Sequence, residues 1–366
     1  LFLKNIQIKN FRNIKKMEYN AESNLNIFMG DNGQGKTNIL EAIFVSSTGK
    51  SFRTPTDTNL INYEESWYSI KTKYVNNERK INSFIKLDQS KNKILQINNK
   101  KTSINNPESL KLVLFIPDDL DLVKGSPLKR RKFIDFTLKQ ISQDYSFNFD
   151  NYGKLLRKRN LLLKNDQTNT KSFNIINDLF VETAVKLILS RINFTSLLDQ
   201  IIKPLYQEIT NGKNTIKIRY ALSFNIEDEK INQNILEKSF IENQRSIKDK
   251  EIKRKKSMIG PHLDDIHLYQ DNKLARHFAS QGQQRNIAVC LKLAEVYAFK
   301  KIKDYYPVFL LDEVLAELDQ EKRLLLLNHL SKAEFQSFLT SVNSNNLRNV
   351  EAKLSVIKDG QLIGKE

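Results

Sequence analysis

Residues Gly30-Asp31-Asn32-Gly33-Gln34-Gly35-Lys36-Thr37 follow the spacing Gly-x-x-x-x-Gly-Lys-Ser/Thr at every fixed position. Glycines at those places let backbone N–H groups turn inward around an anion without Cβ clashes. The lysine adds a point charge for the β- and γ-phosphates, and the threonine hydroxyl is a ligand for Mg2+. A helix starting there aims its N-terminus at the anion. The chain has only 11 glycines, and three fall between positions 30 and 35, which argues against a chance turn. Gly30, Asp31, Asn32, Gly33, Gln34, Gly35, Lys36, Thr37 and Asn38 are therefore the candidate ATP-binding residues, with Lys36 also a candidate catalytic cation.

The other half of such a site should be an apolar strand ending in carboxylates, and Val308-Phe309-Leu310-Leu311-Asp312-Glu313 has that form. Asp312 suits Mg2+, and Glu313 suits the polarisation of an attacking water. Two carboxylates at a buried strand end are costly without a cation, which favours the metal role. A third element is Ser280-Gln281-Gly282-Gln283-Gln284-Arg285, directly before a helix expected from about Gln283. Hydroxyl, exposed N–H groups and helix dipole there would make a second anion site. One nucleotide needs only one such site. Ser280, Gly282 and Gln283 are thus candidates for contacting a nucleotide held by a second copy, in an ATP-dependent homodimer.

These groups need a scaffold. Asn24–Met29 reads as the strand entering the glycine loop and Ile39–Val45 as the helix leaving it. The N-terminus alternates, with Phe2, Ile6 and Ile8 on one face. Trp67–Tyr74, Lys80–Leu87 and Ile94–Ile97 form an expected antiparallel meander, and Lys111–Ile116 a buried strand. From Leu128 to about Ile209 the pattern is helical: Phe133, Phe136 and Ile141 form one apolar face, Ile175, Leu179, Val181 and Val185 mark part of another long helix, and Asn165–Lys171 is the turn between two helices. Lys213–Phe224 returns to strand, and Ile226–Lys256 reads as an exposed helix. Strands are expected at Asp264–Tyr269, Ser337–Val342 and Leu354–Ile357, with a helix near Glu321–Leu330. The expected division is 1–120, 121–255 and 256–366: an α/β ATPase head assembled from both ends of the chain, with a mainly helical lobe inserted and no long coiled coil.

The 366 residues carry 59 Lys+Arg against 42 Asp+Glu, a net charge of +17, which suits a polyanionic partner such as DNA. A bias toward Lys, Asn and Ile accounts for the same number. A single cysteine, Cys290, leaves no intrachain disulfide and no cysteine-cluster metal site, as suits a reducing cytosol. No apolar run approaches a membrane span, so the expectation is a cytoplasmic protein with no membrane partner. Basic runs at Lys129-Arg130-Arg131-Lys132, Arg157-Lys158-Arg159 and Lys253-Arg254-Lys255-Lys256 are either solvated faces or salt-sensitive, sequence-blind phosphate contacts.

The glycine loop, Ser-x-Gly-Gln-Gln-Arg at 280–285 and Leu-Leu-Asp-Glu at 310–313, followed by Ala316-Glu317-Leu318-Asp319, resemble the ABC-type ATPase heads of the SMC and RecF families. The wording at 280–285, the segment Gly260-Pro261-His262-Leu263-Asp264-Asp265 and the short helical lobe resemble the RecF family most. Asn10-Phe11-Arg12, Ser51-Phe52-Arg53 and Phe115-Ile116-Pro117-Asp118-Asp119-Leu120 add to the likeness, which spans nearly the whole chain. The resemblance implies ATP and Mg2+ as cofactors and a weak, DNA-stimulated ATPase used as a switch. It implies a dimer that closes on duplex DNA or gap junctions in recombinational repair and replication restart, aids recombinase loading, and has RecR and RecO as partners. It also implies that Asp319 communicates across the dimer, with Arg12 and Arg53 as possible phosphate or DNA contacts.

The chain departs from transporter ATPases in two places. Pro117-Asp118 stands near the usual loop glutamine. Leu339-Thr340-Ser341-Val342-Asn343 has no switch histidine, leaving Thr340 or Ser341 as the candidate γ-phosphate sensor. His262 is more often a packed or capping histidine than a site residue. The rival readings are the ATP-binding subunit of a membrane transporter, a nuclease with an ATPase head, and a nucleotide-switched scaffold without direct DNA binding. The missing histidine and the charge weigh against the transporter. A nuclease needs a further acidic metal cluster, for which no separate domain remains.

Overall fold

The alternating N-terminus folds as β1 (Phe2–Phe11), with a bulge between Leu3 and Asn5 that shifts its phase. Leu3, Ile6 and Ile8 are buried, whereas Phe2, expected to share the face of Ile6 and Ile8, is half-exposed. The computed structural model describes residues 1–21, 23–103, 106–226, 231–342 and 350–365, with backbone only at 364 and 365. After β1 come β2 (Ile14–Asn20), β3 (Leu25–Met29), α1 (Lys36–Thr48), β4 (Trp67–Asn76), β5 (Arg79–Asp88), β6 (Lys93–Ile97), β7 (Lys100–Lys101) and β8 (Leu112–Phe115). Next are α2 (Pro127–Ile141), α3 (Gln143–Lys164), α4 (Lys171–Ile209), β9 (Ile216–Ala221), α5 (Gln233–Ser246) and α6 (Lys248–Arg254), then β10 (Asp265–Gln270), β11 (Lys273–Leu274) and α7 (Ala275–Phe278). The chain ends with α8 (Gln281–Lys303), β12 (Val308–Leu311), α9 (Gln320–Lys332), β13 (Ser337–Ser341), β14 (Lys353–Lys358) and β15 (Gln361–Lys365).

Two compact units result: Leu1–Asp121 with Gln281–Glu366, and Leu122–Ser280. The second boundary, expected at 255/256, falls at 280/281 because β10 pairs with β9 and β11 and so keeps the Gly260–Asp265 segment in the second unit. That unit is mainly helical. Its longest helix, α4, has 39 residues and spans ~58 Å at ~1.5 Å per residue, with α3 packed along it. No long coiled coil occurs among the described residues. The long helix expected around residues 175–185 is α4, on which Val181 and Val185 are buried while Ile175 and Leu179 are 60% and 45% exposed. The expected exposed helix over Ile226–Lys256 is two helices, α5 and α6, that bury Leu236 and Phe240 completely; residues 227–230 lie outside the described residues.

Among the described residues the first unit holds two six-stranded sheets. One is antiparallel, in the order β2-β1-β4-β5-β6-β7. The other runs β15-β14-β3-β13-β12-β8, parallel throughout except for β15. β3, β8 and β12 are buried at every residue, as strands covered on both faces should be, and all are apolar except for Asn26 of β3, which is hydrogen-bonded to Tyr19 and Ser23. Because β13 lies between β3 and β12, the carboxyl ends of these three strands open side by side. In open α/β sheets that edge is where ligands bind. Among the described residues no helix is long and apolar enough to cross a membrane.

Candidate nucleotide site

The glycine loop leaves β3 at Gly30 and enters α1 at Lys36. Gly30 has φ 148°, and a Cβ there would lie 2.3 Å from the Ile357 carbonyl oxygen of β14, so only glycine fits. Gly35, at φ 108°, caps α1. The loop rests on the turn joining β14 to β15. The Gly360 N–H donates to Gln34 O at 2.9 Å and the Asp359 N–H to Gln34 Oε1 at 2.7 Å. Asp359 and Gly360 have positive φ, the Asp-Gly chemistry of a tight hairpin, so the C-terminal hairpin braces the loop. Asp31, Asn32 and Gly33 are exposed at its tip.

Lys36 is nearly buried and has no carboxylate within ion-pair range among the described residues. Its Nζ donates to Gly30 O at 2.7 Å and Asp31 O at 2.8 Å. Burial lowers its pKa, against the opposing pull of Glu313, Asp312 and Asp31. Thr37 Oγ1 donates to Asp312 Oδ1 at 2.8 Å. Thr340, on the intervening strand, donates to the same oxygen at 2.9 Å and accepts from the Glu313 N–H at 2.8 Å. Asp312 Oδ2 has no hydrogen-bond partner among the described residues. Burial raises the Asp312 pKa, the two hydroxyls oppose this, neighbouring Glu313 raises it further and Arg53 lowers it. A carboxylate oxygen left open beside a threonine hydroxyl, in a site that resists an uncompensated negative charge, is a donor set that fits a divalent cation. Glu313 is exposed and sits at φ 54°, a conformation rare for a residue with a side chain.

Glu41 was not singled out from the sequence. It lies within the apolar run of α1, is fully buried, and accepts from Arg12 Nε and Nη2 at 2.9 and 2.8 Å and from Ser51 Oγ at 2.5 Å. Arg53 lies 3.5 Å from Glu41 and donates to Asn38 Oδ1 at 2.9 Å. The signal was available: one carboxylate inside an otherwise apolar helix must be paired. Glu41 thereby fixes Arg12 and Arg53 on the residues flanking the loop. Asn13 links the same region, accepting from Asn38 and donating to Gln34 O.

The structure brings Lys36, Thr37, Asp312 and Glu313 together. The second anion motif differs from expectation in detail. α8 begins at Gln281, two residues early, so Gly282 and Gln283 lie in its first turn rather than before it. Ser280 and Gly282 are exposed, and a Cβ at Gly282 would meet nothing within 4 Å. Asp319 is the N-cap of α9, accepting from the Lys322 N–H at 2.9 Å. Of the two candidate sensors, Thr340 is buried and committed to Asp312 and Glu313, and Ser341 is half-exposed at the strand end. Asn343 lies outside the described residues. The basic runs split on folding. Arg130 is buried against Asp265 and Arg159 against Glu251, Lys129 is half-buried, and Arg157 and Lys158 stay outside. His262 is a packed histidine: its Nδ1 lies 2.7 Å from the Tyr152 hydroxyl, and burial lowers its pKa to about 4.

A glycine loop on one parallel strand, joined by hydrogen bonds through the next strand to an Asp-Glu pair on the third, defines an ABC-type P-loop ATPase head. A model of the AAA ATPase domain matches residues 2–361. The proteins called DNA replication and repair protein RecF from Bacillus thuringiensis (strain Al Hakam) and Bacillus cereus (strain B4264) are each 36% identical over 367 residues, 96% of this chain and 95% of theirs. The recombination mediator protein RecF, solved as RecF-ATPrS in the RecFOR pathway, superposes with a TM-score of 0.88 at 29% identity, covering 100% of this chain and 98% of that one. An SMC head bound to the C-winged helix domain of ScpA shares the fold alone, with a TM-score of 0.57 at 17% identity over 99% and 97% of the two chains. The chain belongs to the RecF family.

Proposed function

We propose that this chain is an ATP-switched, DNA-binding ATPase of recombinational repair and replication restart. ATP closes a homodimer on duplex DNA or gap junctions, weak DNA-stimulated hydrolysis reopens it, and the closed state aids recombinase loading with RecR and RecO as partners. The observation that carries the ATPase core of this reading is the hydrogen bond from Thr37 to Asp312 beside a lysine with no carboxylate of its own. The repair setting follows the RecF relatives, whose names place them in DNA replication and repair and in the RecFOR pathway.

In the proposed mechanism Lys36 leaves the Gly30 and Asp31 carbonyls for the β- and γ-phosphates. Thr37 and Asp312 would hold Mg2+, which when bound supplies positive charge to the phosphate oxygens. Thr340 orients both carboxylate positions, holding Asp312 by its hydroxyl proton and Glu313 by its backbone N–H. Glu313 takes the proton of the water that attacks the γ-phosphorus, and ADP departs with the displaced oxygen. Ser280, Gly282 and Gln283 present an exposed helix start to the partner copy's nucleotide, and Asp319 reports closure across the dimer. Arg12 and Arg53, set by Glu41, are the flanking cations for phosphate.

The test is duplex DNA binding and solution mass with ATP, ADP or no nucleotide, in the wild type and in Lys36→Ala and Ser280→Ala variants. The expected result is an ATP-only dimer that binds DNA, lost in both variants. Nucleotide-independent binding by a monomer sinks the switch.

A further inference from the structure

The strand register sets a charged face that no run of sequence displays. On the antiparallel sheet the side chains facing away from Ile6, Ile8, Ile70 and Ile85 form rows across the strands. One row is Lys16–Lys9–Ser69–Lys86, the next Glu18–Gln7–Lys71–Phe84–Gln96, and the third Asn20–Asn5–Lys73–Asn82. Lys9, Lys16, Lys71 and Lys73 are exposed and Lys86 is half-exposed, and none of the five has a carboxylate within 4.0 Å among the described residues.

Two carboxylates lie on this face, hydrogen-bonded to amides but still charged. Those hydrogen bonds lower the pKa of both, helped at Glu18 by Lys73 and Lys16 and at Asp88 by Lys86, so the carboxylates offset part of the lysine charge without ion-pairing. Glu18 accepts from the amides of Asn5 and Gln7 at 2.8 and 3.0 Å, and Asp88 accepts from Asn92 at 2.9 and 3.0 Å. Lys9 and Lys16 stand directly opposite each other, a like-charge pair that weakens an isolated sheet. A bound polyanion removes that penalty. Gln7, Lys71, Lys73, Asn82, Phe84 and Gln96 line a shallow depression of about 240 Å3, where amide donors stand between the lysines.

The aromatic residues here decide which nucleic acid fits. Lys86 Nζ lies 4.8 Å from the centre of the Trp67 ring, and Lys71 Nζ 5.7 Å from that of Phe84. Their faces are covered by lysine rather than bare for base stacking, which single-strand platforms require. Lysines and amides on a flat face contact phosphates without reading bases.

We propose that the outer face of this antiparallel sheet is a docking surface for the phosphate backbone of duplex DNA, held chiefly by Lys9, Lys16, Lys71, Lys73 and Lys86. The inference rests on the reading of the chain as a DNA-binding protein and locates the contact on a surface separate from the three basic runs of the sequence.

The experiment compares the full-length wild type with two variants on a short fluorescent duplex, with ATP and Mg2+, across a salt series. The sheet variant is Lys9→Gln, Lys71→Gln, Lys73→Gln and Lys86→Gln. The control is Lys154→Gln, Arg157→Gln and Lys158→Gln on exposed positions of α3. Lysine labelling with and without DNA is read by mass spectrometry in parallel. The expected result is affinity weaker by about tenfold or more in the sheet variant, with the slope of log affinity against log salt smaller by about 0.9 for each lysine that neutralises a phosphate. DNA should also shield the four lysines in the wild type, and ATP turnover without DNA should be unchanged. If the wild type binds and the control loses affinity while the sheet variant does not, this location is wrong and the DNA-binding reading stands. If the wild type binds no duplex at low salt, both fall. If phosphatidylserine vesicles compete for these lysines as well as duplex does, the surface is a general anion face and the duplex assignment is overturned.

Discussion

The nucleotide site and the second unit treat buried charge in opposite ways. In the second unit each buried arginine is matched. Arg191 forms a two-point pair with Asp135 at 2.9 Å and donates to the Pro261 carbonyl at 2.5 Å. Arg130 pairs with Asp265 at 2.8 and 2.9 Å, and Arg159 meets Glu251 at 2.6 Å with Ser257 and Asn177 on its other nitrogens. At the nucleotide site Lys36 has only carbonyls, and one oxygen of Asp312 has no partner among the described residues. Matched pairs pin a conformation. Here Arg130, Arg131 and Arg191, from α2 and α4, hold the Gly260–Asp265 segment. Unmatched charges keep their interaction energy for a ligand, at a cost to the empty protein.

The largest effect should come from breaking a matched pair. Arg191→Met leaves Asp135 buried with its main partner gone and should cost about 3–5 kcal/mol, read by urea unfolding. Pairing it with Asp135→Leu should recover most of the loss, because no orphaned charge remains. A single variant that costs under about 1 kcal/mol would show that the network does not pin the segment. Lys36→Ala should do the reverse. Turnover should fall by about a hundredfold or more, as when a preorganised charge is removed from a transition state, with no loss of stability in urea. Equal losses in both measurements would remove the contrast between the two regions.

The same contrast explains what was legible in the sequence. The glycine loop and the Asp-Glu strand end are local, since each role sits at a fixed spacing within a few residues, and both could be read directly. That Thr340 reaches Asp312 needed the strand order, which puts β13 between β3 and β12. The basic runs misled because neighbours on a helix point about 100° apart. Arg159 turns inward to Glu251 while Arg157 and Lys158 face solvent. Conversely, the lysines that share one sheet face are spread from position 9 to 86, and only the register gathers them. The hairpin that braces the glycine loop was hidden for the same reason: its contact with Gln34 spans 325 positions.

A smaller effect separates stability from function at Asp312. Its native carboxyl holds a proton more tightly than the unfolded one, chiefly through burial. Such a group contributes stability below its unfolded pKa and loses it as pH rises through the native value. At neutral pH the nucleotide-free Asp312→Asn variant should therefore be more stable than the wild type, by about 0.5–2 kcal/mol, the range of ordinary stabilising substitutions. The difference should shrink toward acid pH, and the variant should lose hydrolysis. Calorimetry from pH 4 to 8 without nucleotide checks the sign. A variant less stable than the wild type at neutral pH would mean that the site is satisfied without a ligand.

The smallest effect concerns Asp319, which the structure makes a helix cap and the proposed function makes a reporter of dimer closure. The two roles ask different things of the side chain. A cap needs an oxygen to accept from the Lys322 N–H, and asparagine serves nearly as well as aspartate; alanine costs about 1 kcal/mol. Communication across a dimer that uses the charge distinguishes aspartate from asparagine. Asp319→Asn should thus leave the unfolding midpoint unchanged yet weaken ATP-dependent dimerisation a few-fold, and Asp319→Ala should lower both. If the asparagine variant dimerises like the wild type, Asp319 is a cap alone, and it joins the matched, structural side of the comparison.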